Sequence, residues 1–301
     1  MKTRILVKDG EYRLSKAGVM DAKIDAEELF CFLTGDDKVT LFLKAGEEVS
    51  EEVTEKYNEL IERRASRIPL QHITGTQDFM GYTFKVTPDV LVPRQDTETL
   101  VIEAAKIVRE IRAQKDKLPL LKRLKEGRSI SVMDLCCGSG AVGIALNKIC
   151  GGLNVIATDI SEEALKIARE NAQTIRTEIK FFQGDMFGAL DSKQQKERKF
   201  DVILSNPPYI KTNMLALLQD EVKLHEPRKA LDGGRDGLDF YRIIVKEAAN
   251  YLKDEGWLIM EIGYDQGEDL RKMIKDDGRY TPAEVIKDLP GKDRVVKCRK
   301  I

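Results

Sequence analysis

Two periodicities of apolar residues divide the chain. In residues 22–68, apolar side chains recur at helical spacing, as at Ala26, Leu29 and Leu33. This spacing predicts a small helical domain over residues 1–75. The same stretch holds 12 Lys and Arg against 15 Asp and Glu, which gives a net charge of −3. That charge argues against a domain that reads nucleic acid and favours a protein partner.

A strand-like alternation of apolar and polar residues follows the helical region. It extends from Met80 to Val86, and Pro88 and Asp89 interrupt it before the apolar residues 90–92. A period of two is typical of a half-buried strand, and proline ends such a strand. We therefore expect a β-hairpin linker over residues 76–95.

The remainder of the chain alternates apolar runs with helical patterns. This order is typical of a parallel sheet that is covered by helices on both faces. The candidate strands are residues 130–135, 155–159, 179–183, 200–205 and 257–262, followed by a closing antiparallel hairpin of residues 283–287 and 294–298. Together they predict a doubly wound, mostly parallel, seven-stranded α/β domain over residues 96–301.

Composition limits the location and the ligands. No apolar run among the 301 residues approaches the ~20 that a membrane span needs, and the N-terminus lacks a secretory signal pattern, so we expect a cytoplasmic protein. The five cysteines form no Cys-x-x-Cys pair, and the two histidines are far apart. We therefore expect reduced thiols and no metal site. A net charge of −1 disfavours stable binding of nucleic acid.

One segment departs from this neutral balance, because residues 112–130 contain seven basic side chains and two acidic ones. The basic residues are Arg112, Lys115, Lys117, Lys122, Arg123, Lys125 and Arg128. We interpret the segment as a solvated helix face, and contact with an RNA-like or acidic partner is the alternative hypothesis.

A glycine-rich turn follows the first parallel strand. The sequence Asp-Leu-Cys-Cys-Gly-Ser-Gly (134–140) ends that strand and begins a helix, where unpaired N–H groups and missing side chains suit a nucleoside-bearing cofactor. Asp159 ends the next strand and could accept hydrogen bonds from ribose hydroxyls. Asp185 could accept from an adenine amine, beside an apolar wall of Met186 and Phe187. A tight turn without a ligand is the alternative interpretation of the glycines.

The sequence Asn-Pro-Pro-Tyr directly follows the candidate strand 200–205. Its two prolines fix two φ angles and remove two N–H donors, so carbonyl acceptors are presented rigidly. Asn206 can accept one N–H of a planar nitrogen, the Pro207 carbonyl can accept the other, and the Tyr209 ring can lie against the planar group. This arrangement predicts methylation of an amide or amino nitrogen by orientation, without a strong general base.

Several motifs together resemble the release factor glutamine methyltransferases, a class I methyltransferase family. They are residues 134–140, Ala-Thr-Asp-Ile-Ser (157–161), Ser-Asn-Pro-Pro-Tyr-Ile (205–210), Pro-Leu-Gln-His-Ile-Thr-Gly (69–75), Leu-Val-Pro-Arg-Gln-Asp-Thr-Glu (91–98), residues 226–241 and Glu-Ile-Gly (261–263). The resemblance covers nearly the whole chain. It implies a monomeric enzyme that uses S-adenosyl-L-methionine (AdoMet) to methylate N5 of the glutamine in the Gly-Gly-Gln loop of peptide chain release factors.

The resemblance also implies roles for individual residues. The cofactor would contact Asp134, Cys136, Cys137, Gly138, Ser139 and Gly140, with Asp159 at the ribose, Asp185 and Met186 at the adenine, and Asn206 near the methyl group. Asn206, Pro207, Pro208 and Tyr209 would hold the glutamine, while Arg94, Thr97 and Glu98 would line or brace the cleft. The catalytic residues would be Asn206, Pro207 and Tyr209.

This chain departs from the family pattern at two positions. Cys136 stands where the family usually has Gly, from which we expect that this position need not adopt a positive φ. Met186 stands where a bulky residue such as Trp is frequent, and it still offers an apolar wall.

Two alternative substrates remain, a ribosomal protein glutamine and the adenine amino group of a nucleic acid. Arg-Gln-Asp-Thr-Glu (94–98) favours the release factor branch.

Overall fold

The computed structural model describes residues 1–117, 129–190 and 199–301. Its contacts divide the chain into two compact units. The first comprises Met1–Thr76 and Leu218–Glu226, and the second comprises Gln77–Leu217 and Pro227–Ile301. Among these described residues, no helix has the length and apolarity that a membrane crossing requires.

The first unit is helical. Its helices are α1 (Thr3–Lys16), α2 (Ala22–Thr34), α3 (Lys38–Leu43), α4 (Glu51–Ala65), α5 (Leu70–Thr74) and α9 (Asp220–His225). The core includes Leu6, Leu29 and Tyr57, all buried. The patterning did not reveal α1, whose centre is Gly10. A Cβ there would lie 2.3 Å from the Tyr57 hydroxyl, so only glycine allows α1 to approach α4 this closely.

Buried charges hold residues 218–226 in the helical unit. The Arg64 guanidinium donates to Asp25 (2.6 Å) and to Glu221 (3.1 Å), and Arg67 also donates to Glu221. Arg64 and Asp25 are buried. Arg64 thus bonds to a carboxylate on α2 and to another that lies about 150 residues later in the chain. A buried guanidinium needs such partners, because an unpaired buried charge is strongly destabilising.

The second unit is an α/β domain. Its strands are β1 (Thr76–Phe79), β2 (Tyr82–Lys85), β3 (Ile130–Leu135), β4 (Leu153–Asp159), β5 (Lys180–Gln183), β6 (Phe200–Ser205), β7 (Leu252–Glu261), β8 (Glu284–Lys287) and β9 (Asp293–Arg299). Its helices are α6 (Glu98–Asp116), α7 (Ala141–Cys150), α8 (Glu162–Thr174), α10 (Asp239–Tyr251) and α11 (Gly267–Asp277).

The seven-stranded sheet has the order β5-β4-β3-β6-β7-β9-β8. The first five strands are parallel, and β9 runs antiparallel to both of its neighbours, β7 and β8. Val132 belongs to the core cluster of α6 and α7, whereas Met133 belongs to that of α10 and α11. Successive residues therefore serve opposite faces, and the predicted doubly wound seven-stranded fold is confirmed.

Two elements differ from their predicted positions. The hairpin turn lies at Met80 and Gly81, whose φ angles are 51° and 78°, rather than at Pro88. A two-residue turn of this kind requires positive φ at both central positions. Strand β7 begins at Leu252, five residues before the predicted start, because its first residues, Leu-Lys-Asp-Glu-Gly, are too polar to show an apolar pattern.

The basic segment is only partly described. Arg112 donates to the carbonyls of Cys150 (2.9 Å) and Gly151 (2.8 Å), and Lys115 lies 3.3 Å from the Asp201 carboxylate. These two side chains are therefore not simply solvated, because they join α6 to its neighbours. Lys122, Arg123, Lys125 and Arg128 lie outside the described residues.

Candidate active site

The carboxyl ends of β3, β4 and β6 lie side by side and bring the predicted site residues to one edge of the sheet. At the end of β3, Asp134 is buried and accepts a hydrogen bond from the Gly143 N–H (2.9 Å). Burial raises the pKa of Asp134 to about 7. This bond fixes the first turn of α7 to the end of the strand.

Two glycines shape the turn between β3 and α7. Gly140 has a φ of 78°, and a Cβ there would lie 2.9 Å from Ile144 Cδ1. Gly138 has a φ of 52°, and no heavy atom lies within 4 Å of the position that its Cβ would take. Gly140 therefore serves close packing, whereas Gly138 leaves its backbone open to a ligand.

Cys136 corrects an expectation from the sequence. We expected no positive φ at this position, yet Cys136 has a φ of 58°. The turn needs a left-handed residue here whatever the side chain. Met186, the other departure from the family pattern, also has a positive φ of 49°, and its sulfur lies 3.6 Å from the Cys136 sulfur. Burial raises the pKa of the Cys136 and Cys137 thiols, so both remain protonated.

Asp159, at the end of β4, braces the same turn. Its carboxylate accepts hydrogen bonds from the N–H groups of Gly138 (2.9 Å) and Ser161 (3.0 Å). Burial raises its pKa, ahead of the lowering effect of these bonds. Each carboxylate oxygen has a second lone pair that remains for a ligand hydroxyl.

The segment after β5 provides an exposed carboxylate and an apolar wall. Asp185 is exposed, whereas Met186 and Phe187 are buried. The Phe187 ring stacks on Tyr251 at a centroid distance of 4.7 Å. Met186 and Phe187 belong to a core cluster of the sheet, and contacts of Asp185 and Met186 with adenine stay predictions.

Asn206 follows β6 directly, after a residue that is anchored to the neighbouring strand. The Ser205 hydroxyl donates to the Leu135 carbonyl (3.0 Å) and so ties the end of β6 to the end of β3. Asn206 Nδ2 donates to Thr97 Oγ1 (3.3 Å). Because the amide nitrogen makes this bond, Oδ1 points away from it and remains an acceptor. Pro207 and Pro208 are buried.

Tyr209 is held at both ends. Its hydroxyl donates to Glu261 Oε1 (3.3 Å), and its carbonyl accepts from Gln266 Nε2 (3.1 Å). Burial raises the pKa of the Tyr209 hydroxyl. Gly233 passes so close that a Cβ there would lie 2.7 Å from Tyr209 Cα. The glycines of the 226–241 motif therefore permit a close approach to the Tyr209 backbone.

All six predicted substrate contacts stay predictions, including Arg94 and Glu98. Arg94 is exposed, and Glu98 Oε1 accepts from the Met80 N–H (2.8 Å) in the hairpin turn. The sequence reasoning missed Glu261 and Gln266, which are both buried. A signal for Glu261 was present, because it begins the Glu-Ile-Gly motif (261–263) near the end of a predicted strand. Within the described ranges, no group of three or more His, Cys, Asp or Glu residues could hold a metal ion.

Sequence comparisons give matches along the whole chain. The family model of the PrmC N-terminal domain matches residues 6–75, and that of the methyltransferase small domain matches residues 116–232. A release factor glutamine methyltransferase of Geobacter sulfurreducens is 38% identical, over 95% of this chain and 92% of its own length. One of Clostridium botulinum is 35% identical over 98% of both chains.

A solved structure supports the fold independently. The catalytic domain of hMettl16, in complex with MAT2A 3'UTR hairpin 6, is 13% identical with a TM-score of 0.53, and the match covers 79% of this chain and 81% of that chain. At this identity the likeness concerns the fold alone. The near-complete relatives at 35–38% identity, together with the glycine-rich turn of residues 134–140 and the Asn-Pro-Pro-Tyr segment, show that the chain belongs to the release factor glutamine methyltransferase family.

Proposed function

We propose that this chain transfers the methyl group of AdoMet to N5 of the glutamine in the Gly-Gly-Gln loop of peptide chain release factors. The observation that carries the proposal is the hydrogen bond from Asn206 Nδ2 to Thr97 Oγ1 (3.3 Å), because it fixes the direction of Asn206 Oδ1 beside the rigid Pro207 carbonyl. A primary amide has two N–H donors, so it needs two acceptors to be held.

The residues at the sheet edge fit AdoMet. The space above Gly138 is open, and Asp159, at the end of β4, accepts from the Gly138 N–H and could also accept from ribose hydroxyls. Cys136 to Gly140 would hold the methionine part, while Asp185 and Met186 would hold the adenine. When bound, AdoMet supplies a methyl group that is electrophilic because it is attached to a positively charged sulfur.

Orientation is the main task of the protein residues. The lone pair of an amide nitrogen is delocalised into its carbonyl, so that nitrogen is a weak nucleophile that must be aimed. Asn206 Oδ1 and the Pro207 carbonyl would accept its two N–H groups. The Tyr209 ring, fixed through its hydroxyl and its carbonyl, would lie against the amide plane. No residue has to form a covalent intermediate, because the new N–C bond would form as the S–C bond breaks, with S-adenosyl-L-homocysteine as the leaving group and one N–H proton of the amide released.

The proposal includes partners and location. The protein substrate is the release factor, and a net charge of −1 gives no general attraction to nucleic acid. We propose that the enzyme acts as a monomer in the cytoplasm, where release factors act on ribosomes.

The test is incubation of the full chain with methyl-labelled AdoMet and purified release factor. The proposal expects label on the Gly-Gly-Gln protein and none on a Gly-Gly-Ala variant. Ribosomal proteins and adenine-containing DNA or RNA are assayed in parallel as the two alternative acceptors. Label that persists on the Gly-Gly-Ala variant, or that appears only on an alternative acceptor, would refute the substrate.

A further inference from the structure

Glu261 is a buried carboxyl group beside the Asn-Pro-Pro-Tyr segment. It ends β7, next to β6 in the sheet, and its relative exposure is 2%. Oε1 accepts from the Tyr209 hydroxyl (3.3 Å), whereas Oε2 is buried with no hydrogen-bond partner in the described part of the chain. An unpaired buried carboxylate oxygen is costly, so its retention calls for an explanation.

Another buried glutamate shows how a structural carboxylate is paired in this protein. Glu103, on α6, is 5% exposed. Lys106 bonds to one of its oxygens (2.5 Å), and Lys297 on β9 bonds to the other (3.0 Å). Glu261 instead bonds to a tyrosine hydroxyl through one oxygen only. Its hydrogen bonding therefore differs from that of Glu103, whose oxygens are both bonded, one to a lysine on α6 and the other to a lysine on β9.

The backbone of Glu261 is fixed independently of its side chain. The Tyr241 hydroxyl donates to the Glu261 carbonyl (2.8 Å), and the next residue, Ile262, donates its N–H to the Arg294 carbonyl (2.8 Å). The carboxyl group thus extends from a rigid strand end towards Tyr209. Because Gln266 holds the Tyr209 carbonyl, the bond from Glu261 is the second fixed point of that residue.

We propose that Glu261 is a positioning residue for methyl transfer, whose carboxylate fixes the Tyr209 ring against the acceptor amide. This inference rests on the proposed function. Glu261 acts through Tyr209, so it affects how the bound amide is aligned and not how tightly AdoMet binds.

The surroundings make this contact sensitive to pH. Burial raises the pKa of Glu261 to about 7, against the lowering effects of the nearby Thr97 hydroxyl, the Arg294 charge and the Tyr209 hydroxyl, while the Asp96 charge raises it. The ionised carboxylate is the stronger acceptor for the Tyr209 hydroxyl. Turnover is therefore expected to rise with pH through the titration of Glu261.

The experiment measures kcat and KM for release factor between pH 5.5 and 8.5. Its precision must separate rates that differ ~tenfold. The variants are Glu261→Gln, Tyr209→Phe and the double variant. The controls are Glu103→Gln, which changes the paired glutamate, and Tyr280→Phe, which removes a buried hydroxyl that bonds to the Val245 carbonyl (2.8 Å). A second readout is the NMR signal of the Tyr209 ring in protein labelled with ¹³C at the tyrosine Cζ.

We expect kcat to fall by about 10-fold in Tyr209→Phe, because a loss of this size is typical when one charge-assisted hydrogen bond is removed. AdoMet affinity should change little. The double variant should be no slower than Tyr209→Phe alone, because both changes remove one interaction. Glu261→Gln should abolish the acidic limb of the pH profile and the titration of the Tyr209 signal. Both controls should keep that limb.

Two results would overturn the role of Glu261. One is a Glu261→Gln enzyme with the wild-type rate and pH profile, and the other is a double variant whose loss is the product of the two single losses. A wild-type enzyme that leaves release factor unlabelled would instead overturn the proposed function. In that case a Tyr209 signal that does not titrate in the wild type would separately contradict the contact with Glu261.

Discussion

Replacement of Gly138 by alanine tests where the cofactor approaches the chain. Gly138 has a φ of 52°, and nothing lies within 4 Å of the position of the added methyl group. The left-handed conformation costs alanine about 1 kcal/mol, and no steric contact adds to this. For a chain of this size we expect Tm to fall by about 2 °C. The methyl group would, however, fill the open space above the turn, so AdoMet affinity should fall by about 10-fold or more, which corresponds to about 1.4 kcal/mol.

Gly278 provides a matched control for this change. It follows α11, has a φ of 76° and also has no heavy atom within 4 Å of an added Cβ. Gly278→Ala should therefore lower Tm by a similar amount and leave AdoMet affinity unchanged. Calorimetric unfolding gives the first quantity, and isothermal titration with AdoMet gives the second. If Gly138→Ala and Gly278→Ala bound AdoMet equally well, the cofactor would not approach the backbone at Gly138.

Other changes separate alignment, stability and titration. Asn206→Ala should lower kcat by about 10²-fold while AdoMet affinity falls less, and equal losses in steady-state and binding assays would contradict its role in alignment. Arg64→Met should destabilise the protein by about 3–5 kcal/mol in urea unfolding, because the Asp25 carboxylate stays buried and unpaired; a loss below about 1 kcal/mol would contradict this. Burial raises the pKa of Asp134 from 3.8 to about 7, so the native state binds the proton more tightly and stability falls as pH rises across that window. Asp134→Asn should remove this fall, and an unchanged pH dependence of unfolding would argue against the shift.

The sequence predicted the sheet well because its strands are buried on both faces. Strands β3 and β6 have the predicted bounds, since an apolar run between helical patterns has few other interpretations. Helix α1 was not predicted as a separate element, because Thr3 and Gly10 occupy two of its five buried positions and weaken the apolar pattern. The reason for Gly10 is Tyr57, which lies 47 residues away in the sequence, and a local pattern cannot show a contact of that range.

The candidate site shows the same limit at the level of single residues. The sequence showed which residue types stand at the strand ends, but it did not show the hydrogen-bond partners of each carboxylate. Cys136 illustrates this limit, because its residue type favoured an ordinary φ while the turn imposes 58°. Such a conformation costs about 1–2 kcal/mol for a residue other than glycine. The Cys136 sulfur contacts that of Met186, which also has a positive φ. Both residues depart from the family pattern, and nothing in the sequence indicated that the two departures are in contact.

Hydrogen bonding divides the polar residues at the strand ends into two groups. Asp159 accepts a backbone N–H on each oxygen, so its carboxylate shapes the turn on which Gly138 lies. Asn206 donates from Nδ2 to the Thr97 hydroxyl and keeps Oδ1 outside that bond, whereas Glu261 accepts from the Tyr209 hydroxyl on Oε1 and keeps Oε2 outside that bond. Under the proposed function, the first group would face the cofactor and the second would face the acceptor amide. Changes in the first group should therefore appear mainly in AdoMet affinity, and changes in the second mainly in turnover, because alignment matters only once both substrates are bound.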